Sequence, residues 1–426
     1  MRGDGTGLAI PAHAEALGVA GAAFLTDAFR SFGSLGANNR IVRITRCEPF
    51  SGGNSGQKLR LSVEYAHAEP GLHPDLFVKF SRDFTDPFRD RRRHELEAEV
   101  RFAALSRLPG FPINVPTPYF ADIQRESGTG LLITQRIAFG SGGIEPLRPK
   151  CPGPELAQPM AYYRAIVSTL ARLAAAHKSG LLAPHVDTYF PFDPDTTAAA
   201  DPIPWNEPQL RELIDRYAAF AARCPQLLPA NVTTPDFISR LERDALRFLR
   251  HEATIKRFLQ ADRAYIALCH YNANIDNAWF WRDPSGALQC GLLDWGRVGQ
   301  MNVAHALWGC LCGAGLEIWD EHLDELLVLF SGELHAHGGP RLDLSQIRLH
   351  LDFYAAKMGL AVLIQAPTLV LSRLPEAADA YGPLDPVFNK NEVARGFLHV
   401  FTAFLNVWQT HDFGTSLDRL LGKELV

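Results

Sequence analysis

Cysteine is scarce and badly spaced for structural work. The chain of 426 residues has seven, at positions 47, 151, 224, 269, 290, 310 and 312, and no C-x-x-C pair among them. An odd count without metal-ligand spacing argues against a disulfide framework and a structural zinc, and points to free thiols in a reducing compartment. Long apolar runs are missing too. None approaches the ~20 residues that span a bilayer, and the opening Met1-Arg2-Gly3-Asp4-Gly5-Thr6 has an early acid where an export signal needs an apolar stretch. The expectation is a cytoplasmic protein with no membrane partner. Nor is positive charge in excess: a formal net charge of −5 offers no general attraction for nucleic acid. The one dense basic run, 89–93, is interrupted by Asp90 and reads as solvated surface. No internal repeat or low-complexity tail is found, and a length of 426 residues with 47% hydrophobic content suffices for two sizeable lobes.

What is present concentrates in residues 267–294, ALCHYNANIDNAWFWRDPSGALQCGLLD. Two runs of strand-forming residues, 278–281 and 288–293, flank Asp283-Pro284-Ser285-Gly286, with Pro where a tight turn wants a fixed φ and Gly where it wants freedom. The pattern predicts a β-hairpin. With Pro284 and Ser285 as the turn centre, counting antiparallel pairs outward sets Asn277 opposite Leu292, about two positions from Asp294. An amide oxygen and a carboxylate then converge at the hairpin's open end. Mg²⁺ accepts such a pair while keeping waters or phosphates in its remaining positions.

Upstream, helical periodicity over 11–32 precedes strand-like runs at 41–50 and 59–65, joined by Ser51-Gly52-Gly53-Asn54-Ser55-Gly56. A glycine-rich turn between strands lets backbone amides approach phosphates. The short apolar strand 76–80 has Lys79 inside it, and a buried ammonium asks for a partner. The helix expected over 87–108 offers Glu95 and Glu99 on one face, one turn apart. Two further strands, 119–124 and 131–137, lead into the Gly-rich connector 140–143. Beyond about residue 161 the pattern is mainly helical: 161–178 with His177 on its apolar stripe, an irregular insert at 184–208, helices at 208–223 and 235–259, and buried helices at 347–364, ended near Pro367, and 396–408. His177 reads as a satisfied core residue. Trp295, Trp308 and Trp319 read as core, with an apolar acceptor pocket as the alternative. The five acids between 317 and 325 read as solvated surface, with attraction of a cationic acceptor as the alternative.

The run His270-Tyr271-Asn272-Ala273-Asn274-Ile275-Asp276-Asn277, followed by Leu292-Leu293-Asp294-Trp295, resembles the H-G-D-x-x-x-x-N and later D-W or D-F pair of the aminoglycoside phosphotransferase, choline kinase and ecdysteroid-kinase-like group. That group has the protein-kinase-like fold, and the resemblance covers about residues 41–330. It implies an α+β, two-lobed architecture: an N-terminal helical extension (1–40), a nucleotide-binding N-lobe of antiparallel sheet plus one helix (41–138), and a large, mostly helical C-lobe (139–426). The cofactors it implies are ATP, or another nucleoside triphosphate, and Mg²⁺. Gly52, Gly53, Asn54, Ser55 and Gly56 would surround the phosphates, and Lys79 would reach them, held by Glu99 in preference to Glu95. Backbone groups near Gln135 and Ile137 would meet adenine, Asn277 and Asp294 would ligate metal, and a small-molecule hydroxyl would be the acceptor. His270 would hold the catalytic loop rather than transfer protons.

Two departures bear on activity. Asn272 stands where the group has its catalytic Asp; it can orient a hydroxyl but cannot take its proton. General-base assistance is worth about 10²–10⁴ in rate, although the loose transition state of phosphoryl transfer draws most of its stabilisation from electrostatics. Asp276, the nearest substitute, neighbours Asn277 and is expected to face the other way. The second departure is the lack of an acid about a dozen residues after Asp294, where Val303-Ala304-His305-Ala306-Leu307 stands. The reading is an ATP- and Mg²⁺-dependent phosphotransferase, with a catalytically silent nucleotide-binding pseudokinase or scaffold as the alternative and transfer of AMP as a third.

Overall fold

The computed structural model describes residues 1–423 apart from Ser51, Gly53, Asn54, Pro154 and Glu155. Two compact units result, Met1–Pro146 with Gly291–Gly299, and Leu147–Cys290 with Gln300–Val426. Together they have the predicted α+β character, an antiparallel sheet with helices in the first and mostly helix in the second.

In the first unit helix α1 (Ala14–Ser31) precedes strands β1 (Ile41–Pro49), β2 (Lys58–Tyr65) and β3 (Asp75–Phe80). After α2 (Pro87–Asp90) and α3 (Leu96–Leu105) come β4 (Pro118–Gln124) and β5 (Thr129–Gln135), and the antiparallel sheet has the order β1-β2-β3-β5-β4. Side chains alternate across a strand, so Leu59, Leu61 and Val63 of β2 share a face with Leu76, Val78 and Phe80 of β3. Leu17, Leu25 and Phe29 of α1 close the core on that face. Lys79, between Val78 and Phe80 in sequence, therefore looks to the other face. There α3 packs Leu96 and Ala103 against Ala121 and Leu132. The helix predicted over 87–108 is broken, because Asp90 turns back to accept from Arg82 Nε (2.7 Å) and the Asp83 N–H (3.1 Å), and a 3₁₀ turn at Arg93–Glu95 intervenes before α3. Segment Gly291–Gly299 completes this unit. The Leu292 N–H donates to the Asn114 carbonyl (3.1 Å), and Trp295 stacks on Phe102 with ring centroids 3.8 Å apart.

The second unit opens with α4 (Pro159–Lys178), α5 (Ala183–Tyr189), α6 (Pro194–Ala199), α7 (Glu207–Arg223), α8 (Pro235–Arg250) and α9 (Glu252–Ala261). The insert predicted as irregular at 184–208 thus holds two short helices. Each has Pro in its first turn, where a missing N–H costs nothing, and Asp193 caps α6 by accepting from the Thr196 N–H. The helix predicted at 235–259 divides at His251 (φ −101°, ψ 14°). Strand β6 (Ile266–His270) pairs with β9 (Val298–Asn302), and β7 (Ala278–Arg282) with β8 (Leu288–Leu292). The β7–β8 hairpin forms as predicted, but its turn closes one residue later: the Asp283 N–H donates to the Ala287 carbonyl (3.0 Å), leaving three residues, Pro284 to Gly286, in the loop. That shifts the antiparallel count along the ribbon by one.

The rest of this unit is α10 (Val303–Leu311), α11 (Leu316–Glu321), α12 (Leu323–Ala336), α13 (Leu344–Ala361), α14 (Ala366–Arg373), α15 (Glu392–His411) and α16 (Phe413–Lys423). Pro367 does not end the buried helix; that helix stops at Ala361, and Pro367 lies in the first turn of α14. Among the described residues no single helix is long and apolar enough to cross a membrane.

Candidate functional site

In the first unit the lysine of β3 meets two carboxylates. Lys79 Nζ donates to Glu99 Oε1 of α3 and to Asp294 Oδ1 at 3.1 Å. Lys79 and Glu99 are 6% and 5% exposed, whereas the Asp294 carboxylate is half open to solvent. Burial alone would lower the Lys79 pKa; Glu99 and then Asp294 outweigh it and hold the pKa above the ordinary value, so the ammonium stays charged. Asp294 has φ +64°, a left-handed backbone that a non-glycine residue rarely adopts and that costs energy to maintain. Glu95, one turn before Glu99, points elsewhere and lies 3.8 Å from Arg297.

The glycine-rich turn ends tightly against the sheet. Gly56 has φ +52°, and a Cβ there would stand 1.8 Å from the Phe80 carbonyl oxygen, so no larger residue fits. The Phe80 N–H donates to Gln57 O (2.9 Å) and the Gln57 N–H to Arg82 O (3.0 Å), which seats the turn on β3. Gly53 and Asn54 lie outside the described residues. The Ser55 carbonyl accepts from Lys58 Nζ at 2.7 Å.

Lys58 is the residue that sequence reasoning missed. It stands directly opposite Lys79 in the β2–β3 register, and burial, then the neighbouring Lys79, pushes its pKa down to about 8 against the opposing pull of Asp294. Alternation with Leu59 and Leu61 gave its face, but only the register shows its neighbour. Farther along the sheet, the Gln135 N–H donates to the Thr117 carbonyl (2.8 Å), and the Gln135 carbonyl accepts from Thr134 Oγ1 (3.3 Å), which leaves that oxygen one lone pair. Ile137 follows just beyond the end of β5.

The second unit holds the loop after β6. His270 is fully buried, and its Nδ1 accepts from the Asn272 N–H (3.1 Å). Asn277 Nδ2 donates to the Asn272 carbonyl (2.8 Å), and Asn274 Nδ2 donates to Asn272 Oδ1 (2.7 Å). Cys312 in turn donates its S–H to Asn274 Oδ1 (3.4 Å). Asn277 lies at the end of a 3₁₀ turn, Ile275–Asn277, rather than at a strand start.

This loop is braced without the acid that the sequence lacks. A Cβ at Gly309 of α10 would stand 1.6 Å from the Tyr271 carbonyl oxygen, so helix backbone and loop backbone are in contact. His305 lies against Tyr271 (centroids 4.5 Å) and stacks on Tyr354 (4.4 Å, 7° between planes). His177 Nδ1 accepts from the Leu268 N–H (3.0 Å); burial, then Lys178, pushes its pKa down to about 4, which suits a neutral brace for β6. Trp308 and Trp319 are buried core neighbours 5.7 Å apart.

The structure thus gathers Lys79, Glu99 and Asp294 in one unit and Asn272, Asn274 and Asn277 in the other. Asp294 offers a carboxylate. With its amide N–H₂ directed to Asn272, Asn277 has its side-chain oxygen to offer, and both are the hard donors that Mg²⁺ takes.

No protein-family model matches the chain, and no curated protein matches it at a significant level. Solved structures similar to it include ethanolamine kinase from Plasmodium vivax (12% identity, 86% of this chain and 83% of that one, TM-score 0.42). Choline kinase from Cryptosporidium parvum is similar at 12% identity, over 90% of this chain and 91% of that one, with a TM-score of 0.38. A third is an aminoglycoside phosphotransferase from Streptomyces rimosus in complex with ADP and streptomycin (16% identity, 74% and 92%, TM-score 0.36). These likenesses are distant, and the function proposed next rests on the side chains of this chain.

Proposed function

We propose that this chain is an ATP- and Mg²⁺-dependent phosphotransferase acting on a hydroxyl of a small molecule. The observation that supports this reading is the buried ammonium of Lys79, shared between Glu99 and Asp294. A buried ion pair is seldom more stable than apolar packing of the same volume, so an arrangement that keeps a lysine charged inside a sheet, with one partner on a strained backbone, suits a ligand better than it suits stability.

In this reading Lys79 takes the phosphates and Glu99 holds Lys79 in place. The backbone of Gly52, Ser55 and Gly56 would cover the phosphates, and the Gln135 carbonyl with the backbone of Ile137 would meet the base. Asp294 and Asn277 would hold Mg²⁺, which when bound offsets the charge on the transferring group. Asn272 orients the acceptor hydroxyl, whose oxygen attacks the terminal phosphorus as the bond to the bridging oxygen breaks. A loose transition state tolerates late loss of the hydroxyl proton to solvent.

ATP with Mg²⁺ should raise the melting temperature, by the equivalent of about 2.7 kcal/mol at a hundredfold excess over Kd, and Asp294→Ala should abolish the rise. No shift with the intact protein removes the reading. A second reading, a nucleotide-binding protein without turnover, is favoured by one contact: Asn274 occupies Asn272 Oδ1, so Asn272 presents a donor where a base would be needed. Asn272→Asp decides between them. Gain of ATP turnover by orders of magnitude over a parent inactive with every acceptor supports the silent protein.

A further inference from the structure

Lys58 is poorly explained as a surface lysine. Such residues lay the stem on the protein and keep the ammonium in water, whereas Lys58 is half-buried and draws its ammonium in to the Ser55 carbonyl at 2.7 Å. It faces Lys79 across the β2–β3 ladder, where like charges repel. Among the described residues no carboxylate lies within 4 Å of it. Both nearby acids, Glu99 and Asp294, are bonded to Lys79 instead, and Arg89 adds a further positive charge to its surroundings. Two ammonium donors remain after the bond to Ser55.

That turn is not free to move Lys58 elsewhere. Gly56 is packed on the Phe80 carbonyl, and Gln57 is bonded on both sides to β3 and its continuation. The result is a second cation, fixed at the root of the glycine-rich turn, on the same sheet face as Lys79, with an unmet demand for negative charge. We propose that Lys58 and Lys79 form a two-lysine clamp for a polyphosphate, with Lys58 gripping the nucleotide's phosphate tail from the β2 side. The assignment rests on the nucleotide-binding reading above and adds to it a residue that acts on the tail and not on the nucleoside.

The test compares binding of adenosine, AMP, ADP and ATP, each with Mg²⁺, to the intact chain and to the Lys58→Met and Lys58→Arg variants by calorimetry. Removing a charge-assisted hydrogen bond from a partly desolvated site weakens binding about tenfold or more. For Lys58→Met the expected result is a weakening of that size for ATP, an effect that shrinks as phosphates are removed, and unchanged adenosine affinity. Lys58→Arg should restore most of the ATP affinity. A purely structural role for Lys58 would instead weaken all four ligands together, and that outcome overturns the proposal, as does ATP affinity within twofold of the parent in Lys58→Met. Failure of the parent to bind any of the four removes the nucleotide-binding reading itself, and the clamp with it. Should Lys58→Met not fold, Lys58→Gln takes its place, since its shorter side chain ends in a polar N–H donor without the charge.

Discussion

Lys79 concentrates the electrostatics of the first unit in one ammonium. Removing one member of a buried pair leaves an uncompensated charge and typically costs about 3–5 kcal/mol, whereas replacing both by apolar groups is often neutral or stabilising. Lys79→Met should therefore destabilise the protein, and Lys79→Met with Glu99→Leu should recover most of the stability while remaining unresponsive to ATP. Urea unfolding with and without nucleotide measures both quantities. A double variant that still binds ATP as the parent does would show that the pair serves the fold alone. At this scale much was legible. A lysine inside an apolar strand needs an acid, and the helix face offered two. Glu99 rather than Glu95 is the partner because the 3₁₀ turn at Arg93–Glu95 carries Glu95 off toward Arg297. Lys58 was not legible, since its meaning depends on which residue stands across the ladder.

Among the elements, strand β6 depends on helix α4. The neutral imidazole of His177 accepts the Leu268 N–H, and its pKa in the folded chain, about 4, lies below the ordinary 6.5. The unfolded chain takes up this proton as pH falls through 6.5, the folded chain only near 4, so stability must decline across that window and is retained above it. The full effect is about 3 kcal/mol. His177→Asn, which keeps an acceptor but does not titrate, should be less sensitive to pH between 6.5 and 4 than the parent in thermal denaturation; identical pH profiles would sink this account. The helices themselves show where sequence periodicity ran out. Apolar spacing continued smoothly through His251 and Val362, yet the chain breaks at both, because an apolar stripe is compatible with one long helix or with two that pack on the same core. The hairpin was legible to within one residue, since proline and glycine marked its turn but not whether it closes over two residues or three.

Across the whole molecule, the first unit is not contiguous in sequence. It needs Gly291–Gly299 for the Asn114 contact, the Phe102–Trp295 stack and the carboxylate of Asp294. A fragment ending at Pro146 should accordingly unfold without a sharp transition, or at a clearly lower temperature than the intact chain, in circular dichroism melts. Unfolding of that fragment as cooperatively and as late as the full protein would contradict the dependence. No reading of motifs showed this arrangement: the D-W pair marked Asp294 as belonging to a site, while nothing local in the sequence tells which body of the protein a nine-residue segment will join.

The discontinuity also sets an order of events at birth. With elongation at about 5–20 residues per second, the ribosome needs roughly 7–30 s to make residues 147–290 after the sheet has emerged. Through that interval the indole that covers Phe102 does not yet exist, and Lys79 has Glu99 alone for company. The nascent lobe must wait, with Phe111 at the edge of that ring but the face of Phe102 still open to solvent and to chaperones, until its closing segment is translated far downstream.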